Sequence, residues 1–264
     1  MKSLYKSPLG ELSYLKEFHL DVEMLGEHFD ALAKSSEENY EKTVVSILTD
    51  LLDEDANMLT LQEMTYLFLL VRIHSLSNNL TEEVECTNTV LKQTEFGTRR
   101  ERCGAKNLID IRLSDADLNY IPEDYKPQTI IVKLGEREAS YKVIPPPMKE
   151  EIDLIGYFQE RGFLRKQLMS GKDEDRGLLL EYAKHRGFLF LQNVETGETF
   201  YDRNRRQRAV AASLKAPAKF VPTLLKAVKD VEAFGLKTLE KKYKCKECGM
   251  DLTVQMPFLD STLM

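Results

Sequence analysis

The chain has 264 residues and a formal net charge of −6, with 42% hydrophobic and 30% charged residues. This balance is ordinary for a soluble globular protein and allows one large domain or two modest ones. No apolar run is long enough to span a membrane, and the polar start Met1-Lys2-Ser3 leads to Pro8 and Glu11 instead of an apolar h-region, so no signal peptide is expected. The charge is uneven: from Tyr201 to Cys248, thirteen Lys/Arg stand against five Asp/Glu, a net +8 that leaves −14 on the rest of the chain.

Residues 1–58 read as mostly helical and acidic. Val22, Leu25, Phe29 and Leu32 fall at helical spacing, and Val44, Ile47, Leu48, Leu51 and Leu52 repeat the pattern before the acidic run 53–55 ends it. Thr60-Leu-Gln-Glu63 has the form of a capping box, in which the Thr hydroxyl caps the Glu63 amide and Glu63 reaches back. Met64, Leu67, Phe68, Leu70 and Val71 follow, apolar around much of the helix, and predict a buried central helix ending between Ser75 and Asn79.

From Val84 onward the pattern turns polar, through Gly97 and the charge run Arg99-Arg100-Glu101-Arg102. Residues 108–113 then alternate like a strand. Residues 129–134 and 139–144, around Gly135-Glu136, read as a β-hairpin that Pro145-Pro146-Pro147 stops. Ile152, Leu154, Ile155, Tyr157 and Phe158 form a helical stripe, residues 178–185 suggest another helix, and residues 188–191 are ambiguous between strand and helix end. Residues 221–239 read as a basic helix with Leu224, Leu225, Val228, Val231 and Phe234 at core spacing. The expected fold class is α+β. It comprises a helical N-terminal region (1–85), a small β subdomain carrying zinc-ribbon-like cysteines (86–147), a helical region that is basic towards its end (148–243) and a CxxC tail (244–264).

Four cysteines carry the sharpest chemical signal. Cys245-Lys-Glu-Cys248-Gly has the form of half a zinc knuckle, two thiolates on a tight Gly-bearing turn. Cys86 and Cys103 lie far upstream, with sixteen residues between them, which is not a knuckle spacing. If all four share one ion, a metal staples the tail to the middle of the chain. Such a site is structural, because four thiolates leave no open position for chemistry. The alternative is a set of unmetallated thiols. A thioredoxin-like role is disfavoured, since that CxxC opens a helix after a strand.

Other candidates are weaker. His74, near the end of the central helix, is placed to cap its carbonyls, and His19, His28 and His185 read as structural. Acidic pairs such as Glu150-Glu151 look like solvated helix surface. There is no GxSxG, P-loop, GxGxxG or HExxH motif, so nothing points to an enzyme. Arg203-Asn-Arg-Arg-Gln-Arg208 has the composition of a nucleic-acid arm, but a solvated or partner-docking loop is favoured. A zinc-stapled nucleic-acid-binding regulator using the basic segment 201–248 is the alternative function.

The stretch Leu59-Thr60-Leu61-Gln62-Glu63-Met64-Thr65-Tyr66-Leu67-Phe68-Leu69-Leu70-Val71-Arg72-Ile73-His74-Ser75, followed by Cys103, the strand from Asn107, a hairpin with a proline-bearing exit and a helical half, resembles the baseplate hub assembly proteins of T-even-type phages. The chain departs from that pattern at position 100, an Arg where a cysteine close to Cys103 would be expected, so that Cys86 has to supply the missing ligand from across a loop. The resemblance implies a non-enzymatic component or assembly factor of the baseplate hub. It implies hub and tail tube proteins as partners, oligomerisation as an option, and a place in the virion tail or, during assembly, in the host cytoplasm. The implied zinc ligands are Cys86, Cys103, Cys245 and Cys248.

Overall fold

The computed structural model describes residues 2–36, 38–94, 97–134, 137–163, 176–237 and 239–256. It is a mixed α+β protein with seven α-helices and six small antiparallel sheets among the described residues. The chain opens not in helix but in a β-pair, β1 (Ser3–Lys6) against β2 (Glu17–Leu20). Phe18 and Leu20 point inward and Glu17 and His19 outward, a period of two over only four residues. So short a run is easily lost beside the helical period that follows it.

Helices α1 (Gly26–Lys34), α2 (Tyr40–Leu51) and α3 (Leu61–Ser75) then pack over β2. The capping box at the start of α3 forms as its sequence requires. The Thr60 hydroxyl accepts the Glu63 amide at 3.3 Å, and Glu63 Oε2 accepts the Thr60 amide at 2.8 Å. Glu63 also accepts the hydroxyls of Ser7 and Ser13, so one fully buried carboxylate ties the N-terminal segment to the helix start. Burial pushes its pKa up, and the hydroxyl and amide donors around it pull the other way. Helix α3 is apolar on more than one side because it serves two cores: Met64, Leu67, Phe68 and Val71 face α1 and α2, whereas Leu69 joins Ile109, Ile111 and Val254. At its far end Arg72 Nη1, not His74, reaches the carbonyl of Ser77 at 2.7 Å.

The largest core lies in the second half. Strands β8 (Thr129–Leu134), β9 (Arg137–Val143) and β10 (Leu191–Asn193) form a sheet in the order β10-β9-β8. Ile130, Val132, Tyr141 and Val143 from this sheet pack with Leu154, Phe158, Phe188, Leu224, Val228 and Val231. The helices concerned are α4 (Met148–Glu160), α5 (Arg176–Leu189), α6 (Arg203–Ser213) and α7 (Phe220–Glu232). The tight turn expected at Gly135-Glu136 lies outside the described residues. The ambiguous run 188–191 divides between the end of α5 and the start of β10. Helix α7 stops at Glu232, short of the expected 239. Gly235 takes φ +95°, and a Cβ there would meet Gln62 Cβ at 2.9 Å, so the chain turns under α3 and pairs as β11 (Gly235–Leu236) with β7 (Leu118–Asn119).

A candidate metal centre

Two hairpins build the cysteine cluster. In the first, β3 (Asn79–Glu85) pairs with β6 (Lys106–Arg112), and β4 (Thr89–Thr94) with β5 (Gly97–Arg102). Four residues on from Glu85↔Lys106 along each strand stands Thr89↔Arg102, so the two ladders share one register. Bonds from Cys86 N to Ala105 O (2.8 Å), Gly104 N to Cys86 O (3.0 Å) and Cys103 N to Asn88 O (2.8 Å) carry it across the gap. Residues 79–94 and 97–112 therefore form one long ribbon of two ladders, interrupted at 86–88 and 103–105, where Gly104 takes φ +66°. In this register Cys86 stands opposite Ala105 and Cys103 opposite Asn88. The two cysteines are diagonal neighbours on one face, which is why a sixteen-residue gap brings their sulfurs together.

The second hairpin is β12 (Leu239–Lys244) with β13 (Asp251–Met256). Its turn holds Cys245 and Cys248, closed by Cys245 N to Met250 O (3.0 Å) and Gly249 N to Cys245 O (2.9 Å). Gly249 sits at φ +67°, a conformation that costs an L side chain about 1 kcal/mol or more.

The four sulfurs lie within 4.8 Å of one another. Cys86 Sγ is 3.7 Å from Cys248 Sγ, and Cys103 Sγ is 3.8 Å from Cys245 Sγ. These separations are far too long for a disulfide, whose sulfurs are about 2.05 Å apart. A tetrahedron with metal–sulfur bonds of about 2.3 Å has edges of about 3.8 Å. The donor set and its spacing thus fit a four-coordinate thiophilic ion. The backbone amide of Cys248, helped by that of Glu247 and by the Asn107 side chain, holds the Cys245 thiol down at about 6, whereas burial pushes Cys86 up to about 12.

Sequence reasoning did not find Asn107. This residue is 1% exposed; its Nδ2 donates to Ala105 O at 2.9 Å and lies 3.6 Å from Cys245 Sγ, and its Oδ1 accepts the Lys246 amide at 2.9 Å. It links the two hairpins beside the thiols, a position from which it would orient the ligands of a metal bound there. Its only sequence signal is an amide side chain at an inward strand position, between Ala105 and Ile109.

The remaining candidates are spoken for elsewhere. His28 is buried, with Nδ1 accepting the Leu25 amide and Nε2 3.5 Å from the Asp50 carboxylate. His185 lies against Tyr157 and Phe158. Glu151, expected on a solvated surface, is buried against Arg186. The run 203–208 is helix, not loop. Arg203 pairs with Glu160, Arg205 pairs with Glu198 at 2.8 Å, and Arg206 is 2% exposed with Nη1 on the carbonyls of Phe200 and Tyr201. Three of the four arginines that suggested a nucleic-acid arm are thus engaged within the chain.

Residues 15–155 match the family model described as T4 bacteriophage base plate protein. The match covers more than half of the chain, so the protein belongs to this T4-type baseplate family. It includes Cys86 and Cys103 but stops well before Cys245 and Cys248. No curated protein and no solved structure matches the chain. No helix among the described residues is long and apolar enough to cross a membrane.

Proposed function

We propose that this protein is a non-enzymatic structural or assembly component of the hub of a contractile-tail baseplate, working through recognition of hub and tail tube proteins. The observation that carries the reading is the family match over residues 15–155. The proposal extends it from the baseplate in general to the hub, in line with the resemblance of the α3 segment.

In this reading a zinc ion bound by Cys86, Cys103, Cys245 and Cys248 is a clasp. Four thiolates complete its shell, so it supplies rigidity and no catalysis. The protein's residues do the rest: the two hairpins position the sulfurs, and Asn107 and the amides at Cys248 and Glu247 stabilise Cys245 as a thiolate.

The test is a phage with an early stop codon in this gene, grown on a non-suppressing host. Electron microscopy of the lysate should show heads without functional tails, and tagged protein should co-purify with hub proteins through a high-salt wash. Normal baseplates in the stop-codon phage would overturn the assignment. Metal analysis of the reduced protein checks the ion separately, with one zinc per chain expected in wild type and a sharp loss in Cys248→Ser.

A further inference from the structure

Strand β8 is an edge of its sheet. The bond from Val143 N to Gln128 O (2.9 Å), read with the ladder register, shows which of its residues face β9: Ile130 and Val132 exchange bonds with Tyr141 and Ala139. The amides and carbonyls of Thr129 and Ile131 therefore point away from the sheet, and among the described residues they have no bonding partner. The side chains alternate as well: Ile130 and Val132 face the helices, and Ile131 stands 62% exposed on the other face.

On the helix side, an open groove of about 440 Å³ lies between α6 and the inner face of β8 and β9. Val132 and Tyr141 line it from the sheet, Phe200 from the segment before α6, and Arg205, Arg208 and Ala212 from the helix. The two arginines differ. Arg205 lies over the Phe200 ring at 5.2 Å and is paired with Glu198. Arg208 is exposed, and among the described residues it is the one arginine of the 203–208 run without a partner. The free charge at the rim is therefore positive, over a floor that is apolar and aromatic.

We propose that an extended segment of a partner protein adds to β8 as a fourth strand, with a large apolar side chain in the groove and a carboxylate on Arg208. The existence of such a partner rests on the baseplate reading above. Another backbone satisfies the edge amides and carbonyls together, as in strand addition generally. Its side chains alternate between the two faces. Those on one side enter the groove over Tyr141 and Phe200, and those on the other cover Ile131. A carboxylate two residues from the apolar anchor stays on the groove side, where it meets the free charge of Arg208. A second copy of β8 is a poorer occupant, because Thr129-Ile-Ile-Val-Lys-Leu134 carries no carboxylate. A phosphate chain is poorer too, since it has no donors for the edge carbonyls.

Three changes separate this contact from the fold. Ile131→Pro removes an amide that faces outward, so the β8–β9 ladder keeps its bonds, and proline is tolerated on an edge strand in that orientation. Ala212→Phe fills the groove from the helix at a half-buried position. Arg208→Glu reverses an exposed charge.

Tagged full-length protein recovered from infected cells tests the proposal, with circular dichroism and thermal melting of each variant as the check on folding. Wild type should carry at least one tail protein. In that complex the amides of Thr129 and Ile131 should exchange at least about tenfold more slowly than in the free chain. The recovered partner should fall at least about tenfold in Ile131→Pro, Ala212→Phe and Arg208→Glu, and Arg208→Lys should retain more of it than Arg208→Glu. If Ile131→Pro does not fold, the other two variants carry the test. Equal recovery from wild type and folded variants, or unchanged exchange at Thr129 and Ile131, overturns the proposal and leaves the baseplate reading standing. A wild type that recovers no tail protein sinks both. A purified wild type that sediments as a dimer, broken by Ile131→Pro, would give the edge to a second copy and overturn the proposal as well.

Discussion

Arg186 grips Glu151 with its Nε 2.9 and 3.0 Å from the two carboxylate oxygens and its Nη2 2.8 Å from Oε1, a fork that joins α5 to the first turn of α4. Its Nη1 also holds Glu232 at the end of α7. Glu151 is 3% exposed, and the two carboxylates raise the Arg186 pKa against the opposing effect of burial. One guanidinium thus stands at the meeting point of three helices.

Removing that guanidinium leaves a buried carboxylate without a partner. Arg186→Met is expected to lower unfolding free energy by about 3–5 kcal/mol. The double variant Arg186→Met/Glu151→Leu should recover much of the loss, since apolar side chains of similar size need no partner. Urea unfolding of both proteins is the measurement. A loss in the single variant under 1 kcal/mol would mean that the pair does little for stability.

The Glu63 knot makes a graded prediction. Thr60→Ala removes one cap and should cost about 1 kcal/mol. Glu63→Ala strips the acceptor from the Thr60 amide and from the hydroxyls of Ser7 and Ser13, and should cost about 3 kcal/mol or more. Chemical denaturation of the two variants should keep this order; equal losses would contradict it.

His185 gives the fold an acid-sensitive side. Burial, and after it the charge of Arg206, lower its pKa to about 4. Between the ordinary histidine value of about 6.5 and about 4, the unfolded chain binds more protons than the folded one, so stability is lost as pH falls through that window. The melting temperature of wild type should therefore drop more steeply than that of His185→Gln from pH 6.5 to pH 4. Parallel curves would show that the ring's protonation is not resisted by folding.

Metal removal should act locally. The buried apolar cluster at the clasp consists of Cys86, Cys245 and Leu252, against much larger cores in the helical parts. With so little burial, a metal bound by the four thiols would supply most of the local folding free energy. A chelator under reducing conditions, or Cys248→Ser, should collapse hydrogen-exchange protection at Cys86, Cys103, Cys245 and Asn107. Protection within α3 and α7 should stay within about tenfold of its starting value. Global unfolding on chelation would show that the helical cores depend on the clasp.

The parts legible in the sequence were those with a strong period or a named local bond. The α3 helix showed itself through Thr60, Glu63 and its apolar run, and β8 and β9 through alternation on either side of Gly135. The distal ribbon did not. Thr89–Thr94 and Gly97–Arg102 offer no apolar face, because one side looks to solvent and the other leans on sulfur and lysine instead of a hydrocarbon core. The cysteines were visible one by one, and the pair 245/248 by its spacing. That Cys86 and Cys103 belong together depends on strand register, which no local spacing displays. Arg206 was misread because a buried guanidinium serving two carbonyls has the same letter as a solvated one.

The clasp also imposes an order in time. Cys103 and Cys245 are 142 positions apart, yet their sulfurs meet at 3.8 Å. Ribosomes deliver the chain from its N-terminus, so α3 and the ribbon strands emerge long before Cys245 and Cys248. Until then Cys86 and Cys103 can offer a metal only two thiols. A product that ends before the second hairpin would carry Cys86 and Cys103 without the two thiols that complete the cluster. The four-sulfur site can therefore close only once the second hairpin has been made.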